Sequence, residues 1–365
     1  MRILLTWRRA LLALAAAAGL ALLVAWAGLV PIAASSGHWA VTEWALHWVM
    51  RNAIRTAALP VAVPDLTDPA LLARGAGHYA TGCAPCHGAP GQAQTPIAQR
   101  MSPPPPAFAQ GIADWTPAQL FVITRDGVKF TGMPAWPGLP REEEVWSLVA
   151  FLRALPALDE ADYQRLATGG VAPAAGLPPL GQAVADCARC HGPDGAGRPG
   201  SAAFPLLGGQ SETYLRQALE AFARGERHSG FMQPAVASLP PATIAQLAAH
   251  YAAQPPAQGT PPAPRPAAAL VARGAAIARE GLPAEGVPAC LSCHGAAARA
   301  RNPAFPRLDF QHQGYLANQL AQWRGGTRGG GPQAGPMAVI AGRLPEEAAA
   351  AAAAWFAAGG EMAPP

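Results

Sequence analysis

Six cysteines occur in the 365-residue chain, and all of them fall in one five-residue pattern, Cys-x-x-Cys-His, written three times. The copies are Cys83, Cys86 and His87; Cys187, Cys190 and His191; and Cys290, Cys293 and His294. Two thiols at this spacing can form thioether bonds to the two vinyl groups of one haem, while the adjoining imidazole binds the iron. The pattern therefore predicts three covalent c-type haems with His87, His191 and His294 as proximal ligands. A single Cys-x-x-Cys would equally suit a dithiol redox pair or half a zinc site. Zinc would require the pairs to converge as a four-ligand set, yet the motifs start 104 and 103 residues apart and each carries its own histidine.

An iron with one histidine has a sixth position to fill. Met133, Met232 and Met337 lie 46, 41 and 43 residues after the three histidines. Methionine is more often a pliable core residue than a ligand. Scarcity argues the other way: apart from Met1, Met50 and Met362, the chain has four methionines, and three take equivalent positions. Thioether sulfur is a soft ligand that raises a haem's potential, and it must be carried on a segment able to cross the haem face. Thr131-Gly132-Met133-Pro134-Ala135-Trp136 and Gly335-Pro336-Met337 read as such loops, so all three methionines are candidate sixth ligands. Met101, fourteen residues past His87, is expected on the proximal side. His228, four residues before Met232, is the rival, and bis-histidine ligation would lower that haem's potential. His78, His250 and His312 fall on predicted helices as solvated or satisfied rings, and His38 and His47 belong to a segment near the membrane.

Elements that could position these ligands recur with them. Leu139-Pro140, Leu239-Pro240 and Leu344-Pro345 each follow a candidate methionine by six or seven residues. Proline at the first helical position, with Glu142 to Glu144 or Glu346 and Glu347 behind it, predicts a helix start. Phe151, Tyr251 and Phe356 are expected to anchor these helices against the helix preceding each Cys-x-x-Cys-His. The run Ala348 to Ala354 favours helix, and composition bias explains it as well as any function. Residues 168–181 and 254–266, rich in Pro and Gly, read as semi-rigid linkers. The domains are therefore expected at 65–168, 177–257 and 266–362, behind an anchoring segment at 1–64.

Arg2, Arg8 and Arg9 precede an uncharged apolar run, Ala10 to Ala34, long enough to span a bilayer. The positive-inside rule then leaves the N-terminus in the cytoplasm and exports the rest, in contact with the lipid bilayer. A cleaved signal peptide ending near Ile32-Ala33-Ala34 is the alternative. Residues 38–57, with Trp39, Trp44 and Trp48 followed by Arg51 and Arg55, read either as an interfacial helix or as one packed on the first haem unit. Only 13% of residues are charged and the net charge is +4, so no nucleic-acid partner is indicated.

Residues 72–155, with Gly75, Cys83 to His87, Phe130 to Trp136 and Glu144-Val145-Trp146, resemble the single-haem c domains of respiratory chains. Residues 181–254 and 268–360 resemble the two halves of tandem dihaem cytochromes c. Those halves share Phe204-Pro205-x-Leu207-x-x-Gln210-x-x-x-Tyr214-Leu215 and Phe305-Pro306-x-Leu308-x-x-Gln311-x-x-x-Tyr315-Leu316, at an offset of 101. The resemblance implies an all-α chain with three tandem cytochrome c domains behind a transmembrane helix. It also implies that a proline carbonyl holds each proximal histidine: Pro205, Pro306 and one of Pro103 to Pro106. The third unit departs from the second in lacking the Gly-Pro-Asp-Gly found at 192–195.

Such a chain is expected to carry electrons at the periplasmic face of a bacterial inner membrane. It would link a membrane donor and acceptor among dehydrogenases, quinol oxidoreductases and terminal oxidases, and have no catalytic residues of its own. A cytochrome subunit of a periplasmic membrane-bound dehydrogenase is the alternative. A haem peroxidase or gas sensor, which would need a haem without its methionine, ranks last.

Overall fold

The computed structural model describes residues 6–30, 32–108, 110–138, 140–172, 175–257, 266–330 and 334–362. Arg2, Leu139 and residues 258–265 of the second expected linker lie outside the described residues. Among the described residues the protein is helical, with isolated β-bridges and no strand.

The apolar N-terminal segment is a 20-residue helix, Trp7–Trp26, capped by Thr6. It ends eight residues before the expected Ala34, because Ala27 caps it and Gly28 turns the backbone to a φ of +70°. A second helix, Ala40–Ala57, follows, and its C-terminal half packs on the first haem unit. Trp39, Trp44 and Trp48 remain exposed. Further along, Ile54 and the capping residue Ala58 are buried, while Arg51 sits over the Trp115 ring and pairs with Asp114.

In the first haem unit, helix Pro69–His78 starts on an Asp68 cap with proline in its first turn, both favourable helix-start signals. It crosses helix Glu142–Ala154 at Gly75, where any Cβ would strike the Ser147 carbonyl and the Phe151 Cβ. Helix Pro117–Asp126 carries a Thr116/Gln119 capping box and supplies Phe121, which stacks on Trp146 at 4.3 Å. Phe151 is fully buried and lies 5.3 Å from Tyr79, so it anchors the closing helix as expected.

The third unit repeats this crossing. Gly274 on helix Ala268–Glu280 meets helix Glu346–Ala357 so closely that a Cβ would collide with the Ala351 carbonyl and approach Trp355. The alanine run thus has a packing reason: Ala348, Ala349 and Ala351 to Ala354 are all buried, and larger side chains would hold the two backbones apart. The second unit differs, because its first helix, Pro179–His191, runs continuously through the haem motif. That helix starts inside the expected linker, whose N-terminal end is set by Gly169 in the left-handed conformation closing helix Glu160–Thr168. Closing helix Pro241–Ala252 brings Tyr251 against Cys187.

The Leu-Pro prolines sit one or two steps earlier than expected. Pro240 and Pro345 are N-caps, and helix Glu142–Ala154 starts after Arg141, two positions beyond Pro140. A proline carbonyl can still accept the first intrahelical bond, so either position opens a helix.

Candidate haem centres

Each haem-motif histidine is oriented by a backbone oxygen. His87 Nδ1 donates to the Pro106 carbonyl at 2.8 Å, His191 to Pro205 at 2.9 Å and His294 to Pro306 at 3.1 Å. Pro106 is thus the partner that the run Pro103 to Pro106 left open. A proton held on Nδ1 leaves the Nε2 lone pair free, the tautomer an iron requires. Burial holds His191 and His294 below the ordinary histidine range, against the opposing pull of the proline carbonyls, which also favours the neutral ligand form.

The cysteines are unpaired with one another, and burial pushes the Cys83 and Cys187 thiols up to about 12 and Cys290 up to about 11. Such thiols are poor nucleophiles at neutral pH, unlike those of a dithiol redox pair. No group of three His, Cys, Asp or Glu able to hold a bare metal ion gathers among the described residues.

The methionines lie on three different supports. Met133 is in a non-helical loop, where its N–H donates to Thr131 Oγ1 at 3.1 Å. Met232 opens the short helix Met232–Val236. Met337 corrects the expectation of a loop: Gly335-Pro336-Met337 forms the first turns of helix Ala334–Arg343, since proline is well tolerated there. All three side chains are half-buried. Met101 also departs from expectation: its sulfur packs 3.1 Å from where a Cβ on Gly132 would stand, beside the Met133 loop.

The other histidines separate by surroundings. His78 is half-buried at the end of its helix, packed 4.7 Å from Trp136 and 5.1 Å from Phe231, and burial pushes its pKa down to about 4. His250 reaches the Pro193 carbonyl at 3.1 Å. His312 is buried at the N-cap of helix Gln313–Arg324, where burial keeps its ring neutral. His228 uses its backbone, accepting from Arg141 at 2.6 Å and donating to Thr327 at 3.3 Å.

Units two and three join through their repeated segment. Gln210 donates to the Arg307 carbonyl at 2.8 Å and accepts from its N–H at 3.0 Å. Gln311, its counterpart, pairs identically with Leu206 at 3.0 Å in both directions. Leu206 and Arg307 directly follow the two prolines that hold the proximal histidines. Around the same pseudo-two-fold axis Arg227 and Arg328 form a β-bridge, and Arg227 reaches Tyr315 at 3.0 Å while Arg328 reaches Tyr214 at 3.4 Å. The Nε of each arginine is buried without a hydrogen-bond partner. Buried cations with unused donors fit the carboxylates of haem propionates, so these two side chains would help hold the cofactors.

Units one and two meet without symmetry. The Glu144 carboxylate is buried and accepts from Ser229 Oγ and Gly230 N at 2.6 Å each, from Arg141 at 3.0 Å and from Trp136 Nε1 at 3.4 Å. Burial raises its pKa against the lowering pull of Arg141 and Ser229. Gly230 lies under the Trp136 ring, where any Cβ would collide. On the motif side, Arg198 caps the Leu166 carbonyl at 2.6 Å, and Ala73 packs with Ala203 and Phe204. The residues Glu144 and Trp136 carried the family resemblance, but nothing in the sequence marked them as a junction.

The chain is similar in sequence to known proteins. Residues 70–152 match the family described as cytochrome c oxidase, cbb3-type, subunit III, and residues 180–250 match cytochrome c. A thiosulfate dehydrogenase electron acceptor from Thiomonas intermedia is 37% identical over 175 residues, covering 48% of this chain and 79% of the relative. Cytochrome c4 from Pseudomonas aeruginosa is 37% identical over 177 residues, covering 48% of this chain and 85% of the relative. The solved structure of Acidithiobacillus ferrooxidans cytochrome c4 is 30% identical with a TM-score of 0.40, covering 47% of this chain and 97% of that one. With three Cys-x-x-Cys-His motifs on a helical fold, the chain belongs to the cytochrome c family and is an electron carrier with three covalent c-type haems.

Proposed function

We propose that the protein is a single-pass, membrane-anchored trihaem cytochrome, with domains at 65–168, 177–257 and 266–362. It relays electrons between a membrane donor and acceptor at the periplasmic face of a bacterial inner membrane. Its haems are bound through the three cysteine pairs, with axial pairs His87/Met133, His191/Met232 and His294/Met337. The observation carrying this reading is the threefold recurrence of an imidazole held by a proline carbonyl, each followed by a half-buried methionine.

The bound haems supply one-electron chemistry, and the protein supplies ligands, burial and spacing. Thioether ligation favours potentials above those of bis-histidine haems. The Trp7–Trp26 helix, at about 30 Å by its residue rise, matches a bilayer core. Arg8 and Arg9 at its start favour a cytoplasmic N-terminus.

Three measurements test this. Pyridine haemochrome should give three haems per chain. The protein should pellet with membranes and need detergent rather than salt for release; a soluble product starting near Ser35 would overturn the anchor. Single replacement of Met133, Met232 or Met337 by Ala should each remove about one third of the near-infrared methionine-to-iron band, lower one potential and open one haem to carbon monoxide. Stoichiometric carbon monoxide binding without mutation would instead favour a peroxidase or sensor.

A second reading, the electron-accepting cytochrome of a periplasmic dehydrogenase, is supported by the relatives called thiosulfate dehydrogenase electron acceptors. Co-purification of a dehydrogenase that reduces the haems directly would establish it.

A further inference from the structure

The Met232 segment is held in place largely by another unit. Ser229 Oγ accepts from Met232 N at 3.0 Å and from Phe231 N at 3.2 Å, so it caps the turn that presents Met232. That hydroxyl spends its own proton on Glu144, 85 residues earlier in the chain, and the next amide, Gly230, donates to the same carboxylate. Arg141 completes the clamp by pairing with Glu144 and donating to the His228 carbonyl at 2.6 Å. Four donors converge on one carboxylate, a set that suits the ionised acid and no neutral side chain of the same shape.

We propose that Glu144 is a positioning residue for the second unit's haem: through Ser229 and Gly230 it fixes the turn that delivers the Met232 sulfur. The first unit thereby sets the coordination, and so the potential, of its neighbour. This rests on Met232 being the sixth ligand. A ligand segment free to swing samples the unbound state, and each departure of sulfur favours the ferric form; a clamp that restricts it keeps the potential high.

Glu144→Gln preserves volume but must turn an amide N–H₂ toward at least one of the four donors. In the full-length holoprotein it should keep three haems yet lose up to about one third of the near-infrared band, gain one carbon monoxide-binding haem and lower one potential of three. Ser229→Ala, which removes the hydroxyl but not the carboxylate, should change the same haem to a smaller degree. Met232→Ala is the reference for complete loss. If Met232→Ala shows the full effect while Glu144→Gln and Ser229→Ala leave the band and all three potentials unchanged, the positioning role is overturned and the ligand stands. If Met232→Ala changes nothing, the ligand assignment falls and the inference with it. Loss of haem from both clamp variants would mark Glu144 as a folding residue only, which also overturns the proposal.

Discussion

Toward the third unit, the second unit presents a self-complementary surface; toward the first, it presents a socket that fits one partner only. The former uses its central contacts twice, as an isologous interface does: Gln210 on Arg307 and Gln311 on Leu206, Arg227 to Tyr315 and Arg328 to Tyr214. The latter gathers Ser229 and Gly230 onto the buried Glu144–Arg141 pair, seals it with Trp136 over Gly230, and adds Arg198 and Arg189 on the Leu166 and Ala167 carbonyls. A symmetric interface spreads its energy and tolerates loss of one half. A single buried ion pair does not, because removing one partner strands the other away from water.

The largest effect should come from Glu144→Ala, which leaves Arg141 and three neutral donors without their acceptor. A loss of about 3–5 kcal/mol is expected in denaturant unfolding. It should be accompanied by new proteolytic cleavage around residues 169–178, and an unchanged midpoint would mean that the junction is not concentrated on this carboxylate.

His78 gives the junction a pH dependence. Burial keeps its pKa near 4 in the folded chain, against 6.5 when exposed, so the unfolded chain binds the proton more readily between those values. Its contribution is full above pH 6.5 and is lost as pH falls toward 4, by up to about 3 kcal/mol. The stability difference between wild type and His78→Phe, measured at pH 7 and again near pH 4.5, should shift in favour of the variant at acid pH. A difference constant across that range would remove His78 from the junction's energetics.

Gln210→Ala strands a part-buried backbone N–H and C=O on Arg307 and Gln311→Ala a buried pair on Leu206, costing up to about 1–3 kcal/mol. Pseudo-symmetry requires the two costs to match, so a severalfold disparity would show that the two halves of the interface are not equivalent. Smallest should be Asn318→Ala. It removes the hydrogen bond that Asn318 of unit three donates to Glu143 of unit one, worth about 0.5–1.5 kcal/mol, and it should leave the other interface contacts intact.

The two interfaces also differ in how far the sequence revealed them. The repeat at offset 101 exposed Gln210, Gln311, Tyr214 and Tyr315 as equivalent positions, while the proline partners of His191 and His294 were implied by the family resemblance. Equivalence is a pattern along the chain, so periodicity can find it. The Glu144 socket repeats nowhere. Glu144 reads as an N-terminal helix charge and His78 as an ordinary helical residue, and nothing in the sequence singles out Gly230, because their roles arise only when segments 85 residues apart meet. Met337 was misplaced for a local reason: Gly-Pro reads as a loop, yet proline also suits the first turn of a helix. The alanine run was undervalued because composition alone does not say what lies across from it.

The docked half of helix Ala40–Ala57 governs how the molecule can travel. If Trp7–Trp26 stays in a bilayer as proposed, then with residues 51–58 fixed to the first haem unit, only residues 27–39 remain as a leash, no more than about 45 Å when fully stretched. Three haem units on so short a tether would not roam the compartment. They would meet their partners by lateral drift within the membrane plane, so encounter rates would follow the surface density of those partners and the fluidity of the lipid, with little dependence on the volume of the compartment.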